Sequence, residues 1–265
     1  MKADGEGEPL ISIVVPAYNE EEIIRRGVLQ EMTGYLASRP YSYEVLVVDD
    51  GSEDQTPSLV EAFCQDHPSI RLKRNEHRGK GHSVISGLSA ARGRHLMFMD
   101  VDLAMSLEHI DELLDALQDS ADVVIGSRRA KGAVMLSTAP WSRLLMSRAF
   151  NLLIQALLLP GCDDTQNGFK GFRRDVAHDL IASLVVFKDS PTPSGPRLTA
   201  FDVELLVIAR EHGYRIHQLP VTWRHIDTRR VYLTKEPFLM LREVLSIWWA
   251  RLRGKYRPRA AVGPR

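Results

Sequence analysis

Glu44-Val45-Leu46-Val47-Val48-Asp49-Asp50-Gly51-Ser52 sets four consecutive aliphatic residues directly before two carboxylates and a turn. An apolar run of this length, without polar alternation, reads as a strand buried on both faces, and such strands belong to parallel sheets covered by helices. The Asp-Gly pair then turns the chain where the strand ends. The same unit recurs on either side. Ile11-Ser12-Ile13-Val14-Val15 closes in Pro16, Ile70 to Lys73 is a third short run, and His95-Leu96-Met97-Phe98-Met99 ends in Asp100-Val101-Asp102. Helical spacing fills the intervals: Ile23, Ile24, Val28, Met32, Tyr35 and Leu36, then about 56–66, then 83–91. Asn19, placed before Glu20-Glu21-Glu22, reads as an N-cap followed by acids in the first turn. The βαβαβαβ order predicts an α/β fold, a mostly parallel Rossmann-type sheet with helices on both faces. Ligands of such sheets bind beyond the carboxyl ends of the strands. Tyr18/Glu20, Asp49/Asp50 and Asp100/Asp102 are therefore expected to converge on one rim.

Downstream, a helix is expected after Leu107 and a strand over 122–125, closing in Gly126-Ser127-Arg128-Arg129. Trp141 to Leu159 reads as a long helix with Arg143, Ser147, Arg148, Asn151 and Gln155 on one side and leucines over the rest. Lys188 to Thr199 reads as a loop, Phe201 to His212 as a helix, Arg215 to Trp223 as a strand and Pro237 to Arg253 as the last helix. On that helix Phe238, Leu241, Val244, Leu245, Trp248 and Leu252 form an apolar arc opposite Arg242, Glu243, Ser246 and Arg253. Such an arc either packs on the core or lies at a membrane interface, and the adjacent Trp248-Trp249 and following basic residues suit anionic lipid. The expected organisation is a flexible 1–9, one α/β domain over 10–236, an amphipathic interfacial helix over 237–253 and a basic, disordered 254–265.

The 265 residues carry 34 Lys+Arg and 34 Asp+Glu, so no polyelectrolyte character is present overall. From Arg224 onward, however, eleven Lys/Arg face three acids, a local net charge of +8. A basic end on an acidic body points to an anionic partner surface. No nucleic-acid-reading module accompanies it, which favours a membrane over nucleic acid. Cys64 and Cys162 offer neither a disulfide framework nor zinc spacing and fit a reducing, cytoplasmic compartment. The polar, acidic 1–9 does not read as a signal peptide, and no apolar run reaches the ~18–20 residues a spanning helix requires. A peripheral protein is expected.

Asp100-Val101-Asp102 can put two hard oxygen ligands at one end of the sheet, suited to Mg2+ or Mn2+ bound with phosphate oxygens. Alone, the spacing is equally that of a cap and a solvated carboxylate. In Asp49-Asp50-Gly51-Ser52 one carboxylate could accept from a nucleobase N–H, or the segment could be only a turn. Lys80 in Arg78-Gly79-Lys80-Gly81 could touch phosphate but lacks P-loop spacing. The ordered set is more specific than its parts. Val14-Val15-Pro16-Ala17-Tyr18-Asn19-Glu20, Val47-Val48-Asp49-Asp50-Gly51-Ser52 and Met99-Asp100-Val101-Asp102 together resemble the inverting glycosyltransferases of family 2, with their GT-A fold. Gly126-Ser127-Arg128, Asp164-Thr165-Gln166-Asn167-Gly168-Phe169-Lys170-Gly171-Phe172 and Phe201-Asp202-Val203-Glu204-Leu205-Leu206 resemble its polyprenyl-phosphate branch, that of the dolichyl-phosphate β-glucosyltransferases, relatives of the mannose synthases.

The resemblance implies that Pro16, Tyr18, Glu20, Val48 and Asp50 bind the nucleoside, and that Asp100 and Asp102 bind Mg2+ or Mn2+ and the diphosphate. It implies that Arg128 and Arg148 face donor or acceptor phosphate, and that Arg229 or Arg230 lies on the acceptor side. Arg148 is the first candidate for the acceptor phosphate, and Asp164, with Asp163, serves as base or orienting group. Ala104 stands where the mannose synthases often carry a Gln metal ligand, which favours the glucosyltransferase branch and leaves two carboxylates as metal ligands. The implied reaction moves a hexose from UDP-glucose, or alternatively mannose from GDP-mannose, to a polyprenyl phosphate on the cytoplasmic face of a membrane. A soluble acceptor and an inactive nucleotide-sugar-binding scaffold are the competing readings.

Overall fold

The computed structural model describes residues 7–136, 141–188, 200–224 and 236–258, with side chains described outside 141–146 and 236–238. The expected loop at 189–199, His225, Arg229, Arg230 and the last seven residues lie outside the described residues. Nine strands and nine helices are described: β1 Ile11–Ala17, α1 Glu21–Arg25, α2 Val28–Ala37, β2 Tyr43–Asp49, α3 Thr56–Asp66, β3 Ile70–Arg74, α4 Lys80–Ala90, β4 His95–Met99, α5 His109–Asp119, β5 Val123–Ser127, β6 Val134–Met135, α6 Trp141–Leu157, β7 Phe169–Arg173, α7 Arg174–Ala182, α8 Phe201–Glu211, β8 Ile216–Pro220, β9 Thr222–Trp223 and α9 Glu236–Leu252.

Seven strands form one sheet in the order β3-β2-β1-β4-β7-β5-β8, and β6 pairs with β9 in a second, small sheet. β1 lies between β2 and β4, parallel to both, so the three expected strand ends do meet on one rim. β7 runs antiparallel to β4 and β5 and makes the sheet mixed. Two apolar layers cover it. α4, α6, α7, α8 and α9 bury Val84, Leu88, Ile154, Leu158, Leu180, Leu206 and Val244 on one face. α1, α2, α3 and α5 bury Ile23, Leu29, Met32, Val60, Ile110 and Leu113 on the other. Side-chain alternation along β1 divides the residues: Val14 enters the first layer, Ile13 and Val15 the second. At the amino end of the strands Glu44 is buried and accepts from Ser12 Oγ (2.7 Å) and Arg92 N (2.6 Å), with Arg71 3.0 Å away. Burial pushes its carboxyl up, but the Arg92 N–H, Ser12 and Arg71 outweigh this and hold it below its ordinary value.

Several expectations need correction. Asn19 is not an N-cap: its φ is 51°, and its Oδ1 accepts from Glu53 N at 2.8 Å, in a different loop. The helix expected over 20–36 is two helices, broken at Gly27, whose φ of 87° a helix cannot contain. The strand expected over 215–223 divides at Val221 into β8 and β9, because the chain leaves the main sheet there to join β6. In α6, Asn151 is buried and Leu152 is 65% exposed, the reverse of the wheel. The helix seats through Ile154 and Leu158, and that choice of face turns Leu152 outward. α9 packs on the core through Met240, Val244, Ile247 and Ala250, so the core reading holds for its inner face, while Leu245, Trp249 and Leu252 stay exposed. Order also extends beyond the expected limits: Glu8 pairs with Arg94 and Arg174, and Tyr256 is 1% exposed with its hydroxyl on Glu204.

Candidate active site

The first wall of the rim is built where β1 and β2 end. Asn19 N donates to Ser52 Oγ (2.8 Å), Glu20 N to Thr56 Oγ1 (2.7 Å) and Glu21 N to Asp54 Oδ2 (3.2 Å). With Asn19 Oδ1 returning a bond to Glu53 N, the two loops are cross-linked as one piece. Tyr18 stacks on His77 with ring centroids 4.2 Å apart. Pro16 and Val48 are register partners on β1 and β2, but the Val48 side chain is fully buried with Val14, Val84 and Leu88. The nucleoside contact expected of Val48 therefore does not arise through its side chain.

Asp50 is placed inward. Its oxygens accept from Arg78 N (3.0 Å), Gly79 N (2.8 Å), Ser83 Oγ (3.0 Å) and His77 Nδ1 (2.8 Å). Four donors use the capacity of the carboxylate, so its evident work is to hold the loop that starts α4. Asp49 keeps acceptor capacity, receiving only long bonds of 3.3 and 3.4 Å from Ser52 N. The two adjacent acids are equally buried, Asp49 at 3% and Asp50 at 2% exposure.

The second wall follows β4. Asp100 pairs with Lys80, the first residue of α4. Asp102 Oδ1 accepts from Ala104 N at 3.0 Å, and Leu103 between them has a φ of 53°. Burial first, and the charge of Asp100 second, push the Asp102 carboxyl above its ordinary value. Burial would lower the Lys80 ammonium, but Asp100, Asp202 and Asp102 around it raise it on balance. Gly168 passes so close that a Cβ there would come within 2.2 Å of Asp100 Oδ2.

The third wall is basic. Arg128, at the end of β5, grips Asp164 through Nε (2.7 Å) and Nη2 (2.8 Å), while its N–H donates to Asp164 Oδ2 at 3.0 Å. Burial raises the Asp164 carboxyl, yet Arg128 outweighs it and holds the group below its usual range. Asp164 is thus an orienting group for Arg128, not a poised base. The Arg128 guanidinium lies 5.6 Å from the Trp223 ring centroid. Arg129 reaches Ser147 Oγ (3.1 Å) on α6, and partial burial lowers its guanidinium, with Arg128 and Arg148 adding to that against Asp164. Arg148 is exposed on α6, one residue beyond the Ser147 that Arg129 reaches.

Two further charges went unread in the sequence. Lys170 on β7 is wholly buried, donates to Asn167 O (2.5 Å) and lies 3.3 Å from Asp202 Oδ2 at the start of α8. Burial lowers the Lys170 ammonium and raises the Asp202 carboxyl. A lysine in an otherwise apolar strand, followed by an acid at a helix start, was the available signal, but nothing local pairs residues 32 positions apart. Of the expected site residues, Tyr18, Glu20, Asp50, Lys80, Asp100, Asp102, Arg128, Arg148 and Asp164 are placed along these walls. Arg229 and Arg230 lie outside the described residues.

A family model described as "Glycosyl transferase family 2" matches residues 12–181. The chain is 33% identical over 261 residues to a dolichyl-phosphate beta-glucosyltransferase of Drosophila melanogaster, covering 93% of this chain and 77% of that one. It is 31% identical to the protein of the same name from Homo sapiens, again over 93% and 77%. The structure of a mannosyltransferase from Pyrobaculum calidifontis in complex with GDP-Man and Mn2+ superposes with a TM-score of 0.57 at 21% identity, over 95% of this chain and 68% of that one, a likeness of fold. With the matched span running from β1 to α7 and taking in Asp50, Asp100, Arg128 and Asp164 alike, this chain is a glycosyltransferase and belongs to glycosyl transferase family 2.

Proposed function

We propose that this glycosyltransferase moves glucose from UDP-glucose to a polyprenyl phosphate, of which dolichyl phosphate is one, with inversion at the anomeric carbon. The observation that carries the reading is the family match over residues 12–181, which takes in Asp100 and Asp102 after β4 and the Arg128–Asp164 pair after β5, together with relatives named for this acceptor. In the transfer, a lipid phosphate oxygen attacks C1 opposite the nucleotide. The C1–oxygen bond to the β-phosphate breaks and its electron pair leaves with UDP. A phosphate monoester has a second pKa of about 6, so it is largely dianionic at neutral pH and needs no strong base. This suits a site where Asp164 is consumed by Arg128. Positioning and charge stabilisation then carry the rate. Guanidinium forks at Arg129 and Arg148 fit the acceptor phosphate. Tyr18, Glu20 and one carboxylate of the Asp49-Asp50 pair would take the nucleoside, with Pro16 shaping the loop behind them.

Asp100 and Asp102 fit a divalent cation. They stand two residues apart directly after β4, and the Lys80 ammonium on Asp100 is a cation already seated at one ligand oxygen. Among the described residues no third His, Cys, Asp or Glu joins them, so donor phosphate and water would complete the shell. Mg2+ or Mn2+ held there would supply charge neutralisation for the leaving diphosphate. A short polyprenyl phosphate incubated with Mn2+ and a panel of UDP-glucose, UDP-galactose, UDP-N-acetylglucosamine and GDP-mannose tests the reading. Glucosyl phospholipid should form from UDP-glucose and cease with EDTA. Product from GDP-mannose alone would replace the donor, and product only on a soluble acceptor would replace the acceptor.

The reading places the protein on the cytoplasmic face of a membrane. Among the described residues no helix is long and apolar enough to cross one. The outer stripe of α9 supports contact from the surface: Leu245, Trp249 and Leu252 are exposed one turn apart, and Arg253 lies 4.7 Å over the Trp249 ring.

A further inference from the structure

We infer that Lys80 is a built-in competitor for the divalent cation, holding Asp100 until the donor diphosphate draws the ammonium away, so that metal and nucleotide bind firmly only together. The inference rests on the reading of Asp100 and Asp102 as the cation site and adds what Lys80 does there.

Three cations stand at the centre of the site, and two are committed elsewhere. Arg128 is bound at two nitrogens by Asp164, and Lys170 is buried between Asn167 O and Asp202. Lys80 differs. Among the described residues the one hydrogen-bond partner of its Nζ is Asp100, and the pair is 41% and 34% exposed at the two side chains. An ion pair this open to water at both side chains is one that a doubly charged competitor can displace.

The backbone beneath Lys80 is fixed. Arg78 N, Gly79 N and Ser83 Oγ are tied to Asp50. Gly81 has no room to shift, since a Cβ there would lie 2.7 Å from Phe187 Cζ and 3.0 Å from Phe201 Cδ1. Only the flexible lysine stem can move. Lys80 is also the first residue of an 11-residue helix with no acid in its first turn. A cation there opposes the helix dipole, whereas an anion would be welcomed by dipole and ammonium together. The residue therefore has two satisfied arrangements: on Asp100, or on a diphosphate at the helix end. In the second, Asp100 and Asp102 face an incoming cation without a rival charge. Competition for one oxygen on one side, and attraction to phosphate on the other, give positive coupling between metal and nucleotide, and the coupling is reciprocal.

Mn2+ binding, read from the electron paramagnetic resonance signal of free Mn2+ with and without UDP, tests this in the full chain. Wild type should bind Mn2+ at least fivefold more tightly with saturating UDP than alone. Lys80→Met should bind Mn2+ alone at least fivefold more tightly than wild type and lose most of the coupling. Lys80→Arg, which keeps the charge and reach, should behave as wild type. Arg78→Met removes a nearby exposed charge that does not touch Asp100 and should change Mn2+ affinity less than twofold. Thermal melts by circular dichroism confirm that each variant is folded. If Lys80→Met gains nothing, or Arg78→Met gains as much, the competition is refuted while the cation site stands. If wild type takes up no Mn2+ even with UDP, the cation site and the inference fall together.

Discussion

In the proposed reaction Asp102 and Gly168 act through position and not through the core. Asp102 is partly exposed and bonded only to the turn at Ala104, so removing its charge leaves the packing intact. Asp102→Asn should retain the wild-type melting temperature and lose turnover by about 100-fold or more, as expected when a charge facing the leaving group is removed. Gly168→Ala should do likewise by another route. Its new methyl needs the space of the Asp100 carboxylate, and a displacement of ~1 Å at a reacting centre costs about 100-fold. A steady-state assay beside a thermal melt separates both from misfolding; unchanged turnover in Asp102→Asn would remove Asp102 from the reaction, and unchanged turnover in Gly168→Ala would show that the Asp100 carboxylate can turn aside without loss. Asp50 shows the limit of reading by motif at this scale. Its motif implies nucleoside contact, and the structure adds a second task, since four internal donors tie it to the loop that starts α4.

The last helix presents two different faces. Its inner stripe, from Met240 to Ala250, belongs to the core, and its outer stripe carries Leu245, Trp249 and Leu252. Trp249→Ser should leave stability within about 0.5 kcal/mol, as surface changes do, yet reduce co-sedimentation with anionic vesicles. Equal sedimentation of wild type and variant would remove α9 from the membrane contact. β2 carries a different kind of prediction. The folded Glu44 carboxyl titrates below its ordinary value, so its stabilisation is complete above about pH 4.5 and is lost as pH falls through the depressed value. Glu44→Ala, which strands the Ser12, Arg92 and Arg71 partners, should cost about 3 kcal/mol at neutral pH. The deficit should shrink in acid, and urea melts at pH 7 and pH 3.5 measure both. A deficit unchanged by pH would show that packing, not charge, is what Glu44 supplies.

Distant parts of the chain meet at Glu204. This wholly buried carboxylate accepts from Val185 N (2.8 Å), Val186 N (2.7 Å), Phe187 N (2.7 Å) and Tyr256 Oη (2.8 Å), while Glu243 on α9 accepts from Ala200 N at 2.7 Å. α8, the turn before it and the end of the chain are thereby one unit. Glu204→Ala should lower stability by about 3 kcal/mol, or roughly 6–12 °C in Tm, and Tyr256→Phe by about 1 kcal/mol. A Glu204→Ala melt within 1 °C of wild type would contradict this linkage. None of it was legible beforehand. The sequence showed what near neighbours dictate: apolar runs such as Val45–Val48 can only be buried strands, helical spacing such as that of α3 and α5 can only cover them, and their alternation forces a parallel sheet with the acids at one end. It was silent where the outcome depends on partners remote in the chain. β7 turns antiparallel because β4 and β5 leave a place between them, Lys170 is buried because Asp202 arrives from a later helix, and α6 hides Asn151 because the sheet selects its face. Periodicity is a property of adjacent residues, whereas pairing and burial are free energies of the whole fold.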